Sequence, residues 1–396
     1  MFENTIQLLL ACARPVANPA ADEQVRQLLR QRIDWDLLLE QANWHCVGPL
    51  LYMALRSATS EQVPPAVLSS LRSRYEVNFR HNLFLSGQMM KLLKKFQESS
   101  IPAIPYKGPL LCSYYQNLGL REFGDLDFLV LPRDVQRAND LLHSEGFRPH
   151  LYKPCVHEPR TLPFARAFHY EMVYTADSST KVDLHWALMP GFWALPEQVE
   201  EVWTRLLALP VAGGSVTTLS HEDTLLLLCA HGAKHMWQSL GWICDVVALL
   251  HAVPELDWDA IFERAEKFRV KRALGLGLHL ANKLLGAGLP NGVLNHIQED
   301  NETQKLAAAV CKGLFAVDAR SESVLASCAF LMRTRENAKD AIRCGLERIF
   351  QPTMAEWQSI ALPRVLFPAY YFLRPVRLLT KHGFRSQEMS SDQRHS

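Results

Sequence analysis

A chain of 396 residues is longer than one hydrophobic core commonly organises, and at about 100–200 residues per domain it predicts two or three units. Hydrophobic residues make up 48% and charged residues 21%, which excludes a disordered or collagen-like chain and leaves ample material for a buried core. With 42 Lys+Arg against 41 Asp+Glu the formal charge is +1, so no global field holds a polyanion and there is no strong nucleic-acid signal. A local basic patch stays open.

The nine cysteines are odd in number, lie in apolar surroundings and form no CxxC pair, which argues against a disulfide framework or zinc ribbon. The expectation is a cytoplasmic chain with reduced thiols. Met1 to Arg14 has no basic stretch before its short apolar run and reads as an amphipathic helix, not a signal peptide. No stretch of about 18 apolar residues occurs, so a membrane span is not expected.

Taken in chain order, residues 1–100 predict an N-terminal helical region, with helical spacing over Val25–Arg32, Trp35–Ala42 and Leu68–Phe96 and breaks at Asn18-Pro19 and Pro64-Pro65. Ile101–Tyr106 is short and β-prone, Pro109–Leu118 is a helix candidate, Phe123–Leu131 is a strand, and Asp134–Glu145 is a helix ending at Gly146. Phe168–Tyr174 and Lys181–Trp186, joined by Ala176-Asp177-Ser178-Ser179, predict an antiparallel hairpin on the same sheet. The α/β core thus spans 101–187. From 188 to 351 the periodicity is again helical, apart from a short hairpin at Ala208–Leu219 around Gly213-Gly214, and 352–396 is a C-terminal extension with a disordered tail from Ser386. The fold class expected is α+β, a small mixed sheet flanked by N- and C-terminal helical regions.

Chemistry concentrates on the strands. Asp125 and Asp127 open a strongly apolar strand, and residues two apart in a strand face the same way. Two carboxylates on one face suit a hard cation such as Mg²⁺ held together with substrate phosphates; the alternative is that Asp125 caps a turn and Asp127 pairs with Arg121. Asp183 brings a third acid on a later strand, as metal ligand or as base for an acceptor hydroxyl, since clustered acids repel unless a cation lies between them. His185, on the same face as Asp183, supports that site or packs beside Trp186. At Tyr106-Lys107-Gly108-Pro109 a strand meets a helix start, where glycine permits close backbone approach to an anion. Lys107 and Arg121 there address phosphate oxygens or stay as solvated loop charges.

His231, Lys234, His235, Gln238, Trp242 and Asp245 recur every three or four residues, a polar stripe along one helix if Gly241 does not interrupt it. Lys234 would face phosphate, and His231, His235 and Asp245 the acceptor or a supporting shell; an interdomain polar seam is the plainer reading. A zinc site at His231 and His235 lacks the Glu that the metalloprotease pattern places where Gly232 stands. Leu366–Arg385 mixes aromatic and aliphatic residues with Arg374, Arg377, Lys381 and Arg385, a composition that makes a weak membrane-surface contact or packs on its own protein.

Glycine after a first strand, Asp-x-Asp on a second and a lone Asp on a later one resemble the polymerase-beta-type nucleotidyltransferase fold. More narrowly, Lys107-Gly108, Arg121 to Asp127, Val182-Asp183-Leu184-His185-Trp186, His231-Gly232-x-Lys234-His235-x-Trp237 and Phe367-Pro368-Ala369-Tyr370-Tyr371 resemble the bacterial uncharacterised nucleotidyltransferase family of that superfamily. The resemblance implies transfer of a nucleotidyl group from a nucleoside triphosphate, by default ATP, to a hydroxyl acceptor, assisted by two Mg²⁺ or Mn²⁺ ions, with pyrophosphate leaving. Polysaccharide and peptide natural-product biosynthesis are the settings it implies. Two departures stand out: Pro109 replaces the Gly or Ser of the broad pattern, and fifteen residues, Leu110 to Gly124, precede the aspartates. A transferase of the same fold moving a hexose from a sugar nucleotide, and a non-catalytic nucleotide-binding or assembly protein, are the alternatives.

Overall fold

The structure is a computed structural model that describes all residues except 17–18, 59–61, 116, 151–157, 178–179, 192–197, 212–213, 317–323 and 380–396. The expected disordered tail, the Ser178-Ser179 part of the hairpin linker and Gly213 lie outside the described residues.

Five helices come first: α1 (Phe2–Cys12), α2 (Pro19–Leu29), α3 (Trp35–Trp44), α4 (Gly48–Ser57) and the long α5 (Pro65–Glu98). Then follow β1 (Ala103–Pro105), a 3₁₀ segment (Gly108–Tyr114), β2 (Asp125–Val130), α6 (Val135–Ser144), β3 (Arg148–Pro149), α7 (Glu158–Phe168), β4 (Glu171–Thr175) and β5 (Lys181–His185). After α8 (Gln198–Val202) and the hairpin β6 (Leu207–Val211) and β7 (Gly214–Thr218), helices α9 (His221–Lys234), α10 (Leu240–Ala252), α11 (Trp258–Lys267) and α12 (Lys271–Leu285) complete the centre of the chain. The last part holds α13 (Asn291–Gln298), α14 (Asn301–Gly313), α15 (Val324–Arg333), α16 (Ala338–Phe350) and α17 (Met354–Ser359). The fold is α+β, as expected.

The main sheet has the order β1-β2-β5-β4-β3, with β2 and β5 parallel and the other pairs antiparallel. Strand alternation divides its side chains into two sets. Leu126, Phe128, Val130, Met172, Tyr174, Val182 and Leu184 join a core with Leu85, Met89, Leu92 and Phe96 of α5 and Val135, Ala138 and Leu142 of α6. Phe128 is fully buried with its ring 5.4 Å from that of Phe96, a burial that contributes about 1.5–3 kcal/mol. The other set carries the acids. A second, larger core joins the N-terminal helices to α9, α10 and α12, so residues from Leu8 to Cys344 share one cluster.

Three elements differ from expectation. Pro109–Leu118 is not an α-helix but a 3₁₀ segment that stops at Tyr114, because the next residues are held elsewhere. Asn82 Nδ2 donates to the Leu118 and Arg121 carbonyls and Asn78 Nδ2 to those of Gly119 and Arg121, all within 2.9 Å. Phe168 ends α7 rather than starting a strand, its ring packed 5.0 Å from Phe164. The stripe from His231 to Asp245 runs over two helices, since the chain leaves α9 after Lys234 and turns through Met236 and Trp237, both at φ 54°.

One face of the C-terminal segment packs on its own protein, while Val365, Phe372, Val376 and Leu379 stay exposed. Trp357, Phe367 and Tyr370 are buried against Phe164 and Phe168 of α7, and Glu356 receives Arg374 and Arg377. Among the described residues no helix is long and apolar enough to cross a membrane.

Candidate metal-binding site

Register decides what the acidic face contains. Asp127 lies directly opposite Asp183 on the parallel pair β2·β5, while β4 places Glu171 opposite His185. With two-residue alternation, Asp125, Asp127, Asp183, His185 and Glu171 all project from the side of the sheet away from α5 and α6. Asp127, Asp183 and His185 offer ligand atoms that all lie within 4.8 Å of one another.

The strand that carries the two aspartates is fixed from outside. Arg74 of α5 pairs with Glu122 at 2.7 Å, and Asn78 and Asn82 hold the carbonyls just before it. Gly108 supports it from the other side at φ +52°; a Cβ there would lie 2.9 Å from the Asp125 carbonyl oxygen. Only glycine combines that backbone conformation with so close an approach.

Asp127 is nearly sealed, and one oxygen is fully engaged: Lys107 Nζ and His185 Nε2 each lie 3.1 Å from Oδ1. Burial favours the protonated acid, but Lys107 and His185 outweigh it and hold the Asp127 pKa well below the usual range. Burial likewise works against the Lys107 charge, and Asp127 and Glu171 outweigh it, keeping that lysine above its ordinary value. The Asp127 Oδ2 atom, and both oxygens of Asp125 and Asp183, make no hydrogen bond among the described residues. Burial and the neighbouring acids Asp127, Asp125 and Glu171 push Asp183 up to about 8, and burial with Asp127 raises Asp125. Unpartnered oxygens on acids that repel one another fit a cation: the site supplies hard carboxylate ligands and little else to neutralise them.

Around this face the other expected residues fall into two groups. Lys234 donates to the Tyr170 hydroxyl and feels Glu171, so it lies at the site's edge, its pKa lowered by burial. His231 and His235 stack 4.7 Å apart against Trp242, at 5.7 and 5.2 Å, and burial drives both pKa values down, that of His235 to about 3. They are therefore neutral rings, suited to packing more than to holding phosphate. Among the described residues they belong to no group of three ligating side chains. Arg121 and Asp245 meet each other: Nε and Nη2 donate to the two Asp245 oxygens at 2.8 and 3.0 Å, Nη1 donates to the Gly108 carbonyl at 3.3 Å, and Tyr115 donates to Asp245 at 2.7 Å. The fork expected to address phosphate thus ties the segment before β2 to α10. Asp127 pairs with Lys107, not with Arg121 as the alternative reading had it.

Glu171 went unread in the sequence, although it stands 3.2 Å from His185 Nδ1. Burial opposes its charge, but His185, Lys234 and Lys107 outweigh it and lower its pKa. Its signal was the odd-numbered face of the strand ahead of the turn; the partner face follows only once the pairing with β5 is known. Tyr106 was read only as the end of the first β-prone run and the start of the turn, and its ring sits edge-on to His185 at 5.2 Å.

The mixed sheet thus brings acids from paired strands to one face, beside a glycine turn. The chain belongs to the uncharacterised nucleotidyltransferase family, whose model matches residues 31–286. That span takes in the acidic face, the glycine turn and the helices α3 to α12. No curated protein matches the chain.

Proposed function

We propose that this protein is a metal-dependent nucleotidyltransferase of polymerase-beta type that moves a nucleotidyl group from a nucleoside triphosphate, by default ATP, to a hydroxyl acceptor. The observation that carries the reading is the in-register pair Asp127 and Asp183 on parallel strands, joined by Asp125, with both oxygens of Asp125 and Asp183 and one of Asp127 making no hydrogen bond among the described residues. Asp125, Asp127 and Asp183 would hold Mg²⁺, one ion or two, and a bound ion supplies Lewis-acid polarisation of the phosphoryl group and neutralises its charge.

The protein's own groups divide the remaining work. Lys107, pinned to Asp127 at 3.1 Å, keeps a positive charge on the acidic face, suited to phosphate oxygens. His185, placed between Asp127 and Glu171, fixes the orientation of Asp127. Lys234 stands at the rim for charge on the leaving group. The acceptor oxygen forms a bond to the α-phosphorus, the bond to the bridging oxygen breaks, and pyrophosphate leaves. Asp183, with its raised proton affinity, is placed to take the acceptor's proton. Positioning and electrostatics supply most of such a reaction.

The test is incubation with each nucleoside triphosphate, Mg²⁺ and candidate hydroxyl acceptors, read by product mass. A nucleotidyl increment with the wild type, lost on the order of 10³-fold or more in Asp125→Asn/Asp127→Asn, is expected. Unchanged metal and nucleotide binding in that double variant would remove the basis of the site.

A further inference from the structure

A cleft of about 260 Å³ is bordered by α3, the loop before β2, the turn after α9 and the start of α10, with Trp44, Trp242, Gln238, Arg121 and Asp245 in its walls. Small-molecule pockets commonly run from about 300 to 1,000 Å³, so the cleft is near the size that takes a nucleoside and far larger than an ion needs. We propose that this cleft receives the nucleoside part of the donor, with the base against the Trp44 and Trp242 rings and its edge read by Gln238. The inference rests on the nucleotidyltransferase reading above and names the subsite that selects its donor.

Four features of the cleft agree on that occupant. Its charges are already paired, Arg121 with Asp245 at 2.8 Å and Glu122 with Arg74 at 2.7 Å, so the walls suit a neutral planar group better than an ionised one. Two indoles provide stacking surface, and Trp242 is backed by the neutral rings of His231 and His235. The Gln238 amide makes no side-chain hydrogen bond among the described residues, which leaves a donor and an acceptor for a base edge. Finally, Gln238 is presented by a costly turn. Met236 and Trp237 both adopt φ 54°, a conformation that costs about 1–3 kcal/mol per non-glycine residue and persists where the surroundings over-determine it. Those surroundings are tight here: Trp237 is fully buried over Gly232 and Gly277, where an added Cβ would come within 2.5 and 2.9 Å of its ring.

Arg121 links the cleft to the glycine turn. Arg121 in its wall donates to the Gly108 carbonyl, and Gly108 packs on the Asp125 backbone. One side chain, Arg121, therefore lies between the cleft and the turn assigned to phosphate.

The experiment is calorimetric titration of the full-length protein with adenosine, guanosine, cytidine and uridine without metal, in wild type, Trp44→Ala, Gln238→Ala and Asp125→Asn/Asp127→Asn. Trp44 is 43% exposed, so its truncation spares the core, and thermal melts confirm folding of each variant. At least one nucleoside is expected to bind the wild type and Asp125→Asn/Asp127→Asn alike, and to bind Trp44→Ala and Gln238→Ala about tenfold more weakly. Equal affinity in wild type, Trp44→Ala and Gln238→Ala, or no nucleoside bound to the wild type, overturns the cleft assignment. The two readings fail separately. Nucleotidyl product formed with an unchanged KM for the triphosphate in both cleft variants sinks the cleft and spares the reaction, whereas Trp44-dependent nucleoside binding with no nucleotidyl product does the reverse.

Discussion

On the sheet, Asp125 and Asp183 stand half-buried with no hydrogen bond to either carboxylate among the described residues, while on α10 Asp245 receives Arg121 through two bonds of 2.8 and 3.0 Å and Tyr115 through one of 2.7 Å. Both clusters place acids out of bulk water. In the second, every charge is answered from within the chain, and the result is a brace between the loop before β2 and a helix more than a hundred residues away in sequence. In the first, Lys107 and His185 answer Asp127 and Glu171 but leave Asp125 and Asp183 without a hydrogen bond among the described residues, and burial together with the neighbouring acids raises the proton affinity of Asp183. A cluster that satisfies itself serves structure; one that leaves like charges facing each other is poised for a ligand.

The largest consequence of that contrast is in stability. Arg121→Ala leaves the buried Asp245 charge without its cation, with the Tyr115 hydroxyl still donating to it, and is expected to cost about 3–5 kcal/mol in denaturant unfolding, whereas Arg121→Met/Asp245→Leu, which removes both charges, costs less. A loss under about 1 kcal/mol in Arg121→Ala would place this pair with ordinary surface ion pairs and dissolve the contrast.

Metal affinity comes next. Because Asp183 must lose a proton that it holds up to about pH 8, Mg²⁺ affinity should rise toward pH 8 by up to about tenfold per unit and then level off. Titrations at pH 6, 7, 8 and 9 measure this, and an affinity flat across that range would take Asp183 out of the ligand set.

The smallest effect concerns the metal-free fold. Asp183 binds its proton more tightly in the folded than in the unfolded chain, so its contribution to stability is present below pH 4 and is lost as pH rises through about 8. Asp183→Asn carries no such charge; its advantage over the wild type should grow from pH 4 to 8 and then stay constant. At pH 9 in chelator a rise in Tm of roughly 2 °C or more is expected. A fall would mean that the Asp183 carboxylate has a stabilising partner in the metal-free protein.

Much of the site was legible before folding, because a strand repeats every two residues and needs no partner to declare its faces. Asp125 with Asp127, and Asp183 with His185, could be paired on that ground alone. Glu171 could not, since the face it shares with Asp183 follows from which residue of β5 it lies opposite. The stripe from His231 to Asp245 misled for a related reason. Helical spacing continues through His235, Gln238 and Trp242 in the sequence, but Trp237 finds a buried seat over Gly232 and Gly277, and its burial turns the backbone out of the helix.

The amino-acid sequence by itself determined the α+β class, the strands β1, β2 and β5 and the shared faces of Asp125 with Asp127 and Asp183 with His185, since these depend on local period and on residue chemistry. Tertiary structure alone decided that Arg121 belongs to Asp245 and Lys107 to Asp127, although both cations stand near the same turn. Charge pairing in a buried site is a matter of distance in space, and the packing of α10 against the 3₁₀ segment brings Asp245 to Arg121 across 124 residues of chain.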